Sequence, residues 1–175
     1  MKDYMAPMEG ITNHIYRRAY HRFYHPMDKY FTPFISAKPG KQLSFKEVCE
    51  VSPDTNEGLT VVPQILSNNA EDFIHTSLLQ WRPEFRKSVS GFHGRISRYG
   101  NIHVRQRPDN KPLSGKYDPR SSDTGQKILK AFHNQIYEDY QNLLSGEKNV
   151  LFRMKELWNY MAPTFTNYEK YAKKI

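Results

Sequence analysis

The sequence predicts an α/β N-terminal part followed by an all-α C-terminal part, and three observations carry this prediction. Residues 1–80 alternate short apolar runs with amphipathic stretches, as about three βα units would. Residues 122–175 repeat apolar side chains at helical spacing, whereas residues 81–121 follow neither period. At 175 residues, the chain is also shorter than a complete (β/α)8 barrel, which needs about 250 residues.

Three strands are expected in the N-terminal part, at residues 4–8, 29–35 and 59–66. The helices are expected after a cap at Thr12, over residues 43–48, and after a cap at Asn68 or Asn69. Right-handed crossovers through these helices would make the strands parallel. Ligands of parallel folds bind where the strands end, so we expect Met8, Phe34 and Gln64 at a ligand-binding edge.

The last third is predicted to contain helices that pack through apolar stripes. The first stripe covers residues 128–144 and is ended by Gly146, the second covers residues 150–161, and a third helix begins near Asn167. Arg153 and Lys155 lie on the second helix, where they could neutralise phosphate groups. Trp158, on the same helix, is expected in the core rather than as a platform for a nucleic-acid base.

Composition excludes several classes of protein. No run approaches the roughly 20 apolar residues of a membrane span, and the residues before Glu9 lack the apolar stretch of a secretory signal. Cys49 is the only cysteine, which excludes an intrachain disulfide and a multi-cysteine zinc site. We therefore expect a cytoplasmic, monomeric protein without a metal and without a membrane partner.

Several motifs resemble the tRNA-dihydrouridine synthases. The segments MAPMEGITNHIYRRAY, FTPFIS and VVPQILSNNAEDF are similar to the N-terminal part of that family. The segments LLSGEKNVLFRMKELWNYM and YEKYAKKI are similar to its C-terminal domain and follow in the family's order. The resemblance covers most of residues 1–80 and 122–175.

The resemblance implies an FMN-dependent enzyme that consumes NADPH and reduces uridine in tRNA to 5,6-dihydrouridine. It implies that residues 1–80 are an incomplete TIM barrel that binds the flavin, and that residues 122–175 are a helical tRNA-binding domain. By position in the family's motifs, the expected FMN contacts are Pro7, Met8, Glu9 and Gln64. The expected tRNA contacts are Arg153 and Lys155.

The sequence also departs from the family's pattern. The family's proton-donating cysteine lies in an Asn-x-x-x-Gly-Cys-Pro loop that has no counterpart here, and Cys49 precedes the third strand in a different setting. We expect Cys49 to be a small, part-buried structural residue. The chain is thus expected to be a truncated or internally deleted relative that lacks a catalytic residue. Two alternatives stay open, a non-catalytic basic RNA-binding module and a non-functional gene remnant.

The net charge of +8 is concentrated in the middle of the chain. Residues 81–121 contain 10 basic and 3 acidic residues (net +7), against 8 and 9 in residues 1–80 and 8 and 6 in residues 122–175. One hypothesis is an irregular or disordered RNA-binding arm in which Tyr99 and Tyr117 stack on bases. The other is unselected coding sequence, left by a frameshift or a faulty junction where the family has the rest of its barrel.

Overall fold

The computed structural model describes residues 2–40, 42–80, 123–165 and 168–169, and the predictions for residues 81–121 lie outside these ranges. The chain divides into two compact units, Met1–Arg105 and Gln106–Ile175. All the described strands lie in the first unit, and the described part of the second unit is helical.

A three-stranded parallel sheet forms the centre of the first unit. Its strands are β1 (Tyr4–Met5), β2 (Lys29–Ser36) and β3 (Val61–Leu66), in the spatial order β1-β2-β3. The prediction of a parallel α/β region is therefore confirmed for the described residues. β1 is shorter than expected because Pro7, two residues beyond its end, has no N–H to continue the ladder of hydrogen bonds.

A β-bulge interrupts the pairing of β2 with β3. Phe31 pairs with Val62 and Phe34 pairs with Gln64, so two residues of β2 lie opposite one residue of β3. Prolines on both strands, Pro33 and Pro63, cannot donate to the ladder at this point. The hydroxyl of Thr32 replaces the missing ladder bond by accepting from the Gln64 backbone N–H at 3.0 Å.

Three helices follow the strands, α1 (His14–Phe23), α2 (Phe45–Val51) and α3 (Ala70–Gln80). The prediction of Thr12 as the cap of α1 is wrong, since Asn13 Oδ1 accepts from the Tyr16 N–H at 3.1 Å. The Thr12 hydroxyl instead accepts a hydrogen bond from the Met8 N–H and donates one to the Met8 carbonyl. Asn69 caps α3 as predicted, accepting from the Glu71 N–H at 2.8 Å.

The core of the first unit lies between the sheet and α1. Its buried members come from all three strands and the turn before β3: Met5, Tyr30, Leu59 and Val61, with Tyr16, Tyr20 and Met27 packed against them. Met5, Tyr30 and Val61 are paired across the sheet, so they project to one face. Burying a large apolar side chain contributes about 1.5–3 kcal/mol, so this cluster helps to hold the three strands together.

The described part of the second unit is a helical hairpin of α4 (Asp123–Leu143) and α5 (Glu147–Met161), followed by a 3-10 turn at Ala162–Thr164. The two apolar stripes predicted from the sequence are buried against each other. Their buried members are Phe132, Ile136, Tyr140, Val150, Met154, Leu157 and Met161. Gly146 has a φ of +87° in the connection, a conformation that favours glycine, and it precedes α5 directly.

Candidate functional site

The loop that follows β1 carries three of the residues that the sequence predicts as flavin contacts. Gly10, at a φ of +79°, turns the chain here. The backbone of Met8 is held by Thr12, whose Oγ1 accepts from the Met8 N–H at 2.6 Å, and the Met8 carbonyl accepts from the N–H of Thr12 at 3.0 Å. The loop thus has a fixed conformation closed by its own hydrogen bonds.

These bonds decide which groups of the loop are left for a ligand. The Met8 N–H is already donated to Thr12, so it is not free to contact a heterocycle. The Met8 side chain is 43% exposed and Glu9 is also exposed, whereas Pro7 is half-buried. A ligand at this edge would therefore meet the Met8 thioether and the Glu9 carboxylate, and Pro7 would support the loop from behind.

Gln64 is the fourth predicted flavin contact, and its amide has an unusual environment. Its side-chain Oε1 is buried and has no hydrogen-bond partner among the described residues. Leaving such an oxygen unpaired costs about 1–3 kcal/mol. Among the described residues, His14 Nδ1, Arg17 Nε and Glu50 Oε1 are unpaired in the same way, within a cluster that has no open edge. Phe34 lies directly across from Gln64 on β2 and is 50% exposed. An apolar ring surface and an amide acceptor thus lie side by side.

The sheet places these predicted residues along one edge without bringing them all into contact. Gln64 and Phe34 are register partners, whereas β1 and β3 both border β2 and are not neighbours. At the usual strand spacing, β1 and β3 lie roughly 10 Å apart. The loop at Met8 and the amide of Gln64 are therefore on opposite sides of β2, a separation that a planar heterocycle of several fused rings could bridge.

The described residues fit one part of FMN and offer nothing for another. The unpaired Oε1 of Gln64 can accept from a ring N–H, and Phe34 and Met8 offer apolar contacts to a ring face. Among the described ranges, no glycine-rich loop follows a strand in the way that phosphate groups require. The fit is to the flavin ring, and the phosphate lacks a holding site in this part of the chain.

A buried ionic cluster anchors the loop at Met8 from within. Arg17, which is fully buried on α1, donates from Nη1 to Glu50 Oε2 at 2.7 Å and to the Thr12 carbonyl at 3.2 Å. Its Nη2 donates to the Glu50 carbonyl at 2.8 Å and to Asn56 Oδ1 at 2.9 Å. The chain of contacts therefore runs from α2 through Arg17 to Thr12 and on to Met8.

The charges in this cluster shift the acidity of its members. Burial alone would raise the pKa of Glu50, but its contact with His14 and the positive charge of Arg17 outweigh burial and hold that pKa below its ordinary value. His14 Nδ1 lies 3.6 Å from Glu50 Oε1, which is longer than a hydrogen bond, so the Arg17 pair at 2.7 Å is the stronger cause. No pattern in the sequence pointed to Arg17, because its partner lies 33 residues away.

A shallow polar cleft lies near the amino ends of the strands, away from the loop at Met8. It is lined by Arg18, His21, Arg22, Asp54, Glu57 and Leu59. Both signs of charge are present, so the cleft has no bias towards an anionic ligand. His21 is oriented by the buried hydroxyl of Tyr30, 2.8 Å from its Nδ1, and this hydroxyl also accepts from the Met27 N–H at 3.0 Å.

The two predicted tRNA contacts on α5 differ in their surroundings. Arg153 Nη1 donates to Glu156 Oε2 at 2.7 Å, and both side chains are about one-third exposed (35% and 34%). Lys155 is exposed. Residues two apart on a helix do not share a face, so the structure does not bring Arg153 and Lys155 together. Lys155 instead shares a face with exposed Lys148, seven residues before it.

Trp158 and Cys49 differ from the sequence expectation in their burial, since Trp158 lies at the margin of the core rather than within it and Cys49 is buried rather than part-buried. Trp158 is half-buried, donates from Nε1 to His133 Nε2 at 3.2 Å, and packs against Phe165 with ring centroids 5.7 Å apart. Cys49 is buried in α2, and burial, aided by the charge of Glu50, raises the pKa of its thiol. A raised pKa lowers the thiolate fraction, so Cys49 is not an activated nucleophile.

Within the described ranges, no group of His, Cys, Asp and Glu side chains could hold a metal ion. None of the described helices is long and apolar enough to cross a membrane. The first unit is thus a parallel α/β sheet with a candidate ligand edge, and the described part of the second is a helical hairpin with a basic face. Comparisons of the chain with family models, with curated proteins and with solved structures each gave no match.

Proposed function

We propose that this chain is a tRNA-binding relative of the tRNA-dihydrouridine synthases that keeps the flavin-ring edge of an incomplete TIM barrel. In this proposal residues 1–80 contact FMN, residues 122–175 contact tRNA, and the chain does not complete the reduction of uridine. The observation that carries the flavin part is the buried, unpartnered Oε1 of Gln64 next to the exposed ring of Phe34.

When bound, FMN would supply the hydride that reduces the C5=C6 bond of uridine, with NADPH as the reductant of the flavin. The residues of this chain would bind and orient the ring. Gln64 would accept a ring N–H, Phe34 and Met8 would pack on the ring, and the loop closed by Thr12 would keep Met8 in place. Reduction also needs a proton donor at the uracil, and Cys49 does not take that role because its side chain is buried in α2, out of contact with a bound substrate.

Titration of the purified full chain with FMN tests the flavin part, with flavin fluorescence as the readout. Gln64→Met removes the amide and keeps a side chain of similar length, and we expect it to weaken binding about 2- to 13-fold, the value of one hydrogen bond. Gln126→Met is the matched control, because Gln126 is exposed and lies on α4, in the second unit. Equal affinity of wild type and Gln64→Met, or no quenching by wild type, would contradict the flavin-edge proposal.

A second candidate function, RNA binding without any flavin, is favoured by the face of α5 that carries Lys148 and Lys155. Both side chains are exposed, and neither takes part in an ion pair described for this helix. Each lysine that neutralises a phosphate adds about 0.7–0.9 to the slope of log affinity against log salt concentration. If the chain binds RNA and does not bind FMN, the result supports this second function and contradicts the first.

Gel-shift measurements of the full chain with tRNA over a range of salt concentrations test this part. We expect Lys148→Ala and Lys155→Ala each to reduce the salt slope by about 0.7–0.9, whereas Lys130→Ala, at an exposed position of α4, leaves it unchanged. Equal effects of all three variants would indicate diffuse attraction rather than a site on α5. Dihydrouridine formed from tRNA, FMN and NADPH by the pure chain would overturn the binding-only proposal.

A further inference from the structure

α5 carries an exposed aromatic side chain between the two lysines of its outer face. Phe152 is 63% exposed, although a residue of this kind is usually buried. Lys148 is four residues before it and Lys155 three residues after it, and positions at these spacings are neighbours on a helix surface. Asn159 continues the same line, and it is also exposed. We call Lys148, Phe152, Lys155 and Asn159 the outer stripe of α5.

The charge along the outer stripe is positive. Glu156 is the acid beside Phe152, four residues after it, and it is paired with Arg153 at 2.7 Å. Arg153 therefore neutralises the carboxylate that would otherwise repel a polyanion from Phe152. This contact gives Arg153 a part in RNA binding that differs from a direct phosphate contact.

We propose that Phe152 is a stacking platform for an unpaired RNA base, with Lys148 and Lys155 holding the phosphates on either side. This inference rests on the RNA-binding function proposed above and adds the kind of RNA that the site takes. The two lysines are about 10 Å apart along the helix axis, with the phenyl ring between them. An aromatic ring offers its face to any base, and Asn159 can donate to and accept from a base edge.

The RNA at this site would be single-stranded. Bases in a duplex stack on one another and present only their edges, so an exposed phenyl ring has no face to meet. A loop or an unpaired end lets one base leave the stack and cover the ring. The alternative occupant, another protein, is disfavoured by the two lysines, because lysine is depleted in the centre of protein interfaces where an exposed Phe would be buried.

Fluorescence anisotropy of the full chain with a labelled single-stranded RNA, and with the same RNA annealed to its complement, tests the inference. We expect Phe152→Ala to weaken single-strand binding about 5- to 150-fold, the value of stacking one base, and to leave duplex binding unchanged. Phe152→Trp should keep the affinity, because it keeps an aromatic face. A 2-aminopurine in the unpaired RNA should be quenched by wild type and not by Phe152→Ala.

Leu151→Ala is the matched control, because Leu151 is 53% exposed beside Phe152 and cannot stack in the same way. Stacking predicts that this variant binds within about twofold of wild type. Equal losses for Leu151→Ala and Phe152→Ala would indicate a general apolar docking surface and overturn the inference. If wild type binds tRNA and Phe152→Ala binds it with the same affinity, the stacking is refuted and the RNA binding stands. If wild type binds no RNA, both the stacking and the proposed RNA binding are refuted.

Discussion

Replacing Arg17 with methionine tests the idea that a buried ionic cluster holds the first unit together. The guanidinium of Arg17 donates to four acceptors, on Thr12, Glu50 (two atoms) and Asn56, at distances from 2.7 to 3.2 Å. Methionine fills much of the same volume and donates nothing. The variant would leave the Glu50 carboxylate buried with only His14 near it, at 3.6 Å.

The cost follows from the isolation of Glu50. Removing one partner of a buried ion pair destabilises a protein by about 3–5 kcal/mol, because the other charge stays desolvated. The carbonyl acceptors on Thr12 and Glu50 also lose a donor, but losses within one network do not add. We therefore expect Arg17→Met to lower the free energy of unfolding of the first unit by about 3–5 kcal/mol, a large share of the 5–15 kcal/mol of a typical domain.

Urea unfolding followed by circular dichroism measures the change, and hydrogen exchange of peptides from residues 14–23 and 45–56 assigns it to the first unit. Arg18→Met is the control, since Arg18 is the exposed neighbour on α1 and should change stability by less than about 0.5 kcal/mol. The double variant Arg17→Met/Glu50→Met should recover most of the loss, because apolar residues can replace a buried pair. A loss below about 1 kcal/mol for Arg17→Met, or a double variant as unstable as the sum of both, would refute the reasoning.

Two further predictions concern the same region. The pKa of Glu50 is lower in the folded than in the unfolded state, so its contribution to stability is complete above the unfolded value of about 4.3 and is lost as the pH falls below it. The urea midpoint, measured at pH 7, 5, 4 and 3, should therefore decrease at the two lowest pH values, and this decrease should be smaller in Glu50→Gln than in wild type. The same decrease in both proteins would contradict the prediction. Burial and the raised pKa of Cys49 predict alkylation by iodoacetamide at pH 8 on the order of 100-fold slower in the folded chain than in urea, measured by mass spectrometry. Equal rates would show that α2 does not protect the thiol.

The order of strands and helices could be predicted from the sequence because it depends on local patterns. The run from Val61 to Leu66 is rich in β-branched and apolar residues, and the caps of helices follow from short side chains at their starts. The choice between Thr12 and Asn13 could not be predicted. Both can cap a helix, and the contact of Thr12 with Met8 decides between them.

The candidate sites were predictable only in part. Gln64 is predicted from its place near a strand end and from its position in the family's motifs, but its unpaired oxygen depends on what surrounds it in three dimensions. Arg17 was not identified, because a charged residue at a buried position needs a partner that is distant in sequence. The different faces of Arg153 and Lys155 follow from helical spacing alone, so the outer stripe with Phe152 could have been recognised from the sequence.

The bulge in β2 also determines how the strand tolerates changes in length. Side chains alternate along a regular strand, so Phe31 and Phe34, three positions apart, would point to opposite sides. Because the bulge adds one residue to β2, Phe31 and Phe34 instead project to the same side. They pair with Val62 and Gln64, which share one side of β3. Deleting Pro33 would leave Phe31 and Phe34 two positions apart, as in a regular strand, so exposed Phe34 and buried Ile35 would keep their present sides. A single-codon deletion here would therefore remove the bulge and preserve the inner and outer surfaces of the carboxyl half of the strand.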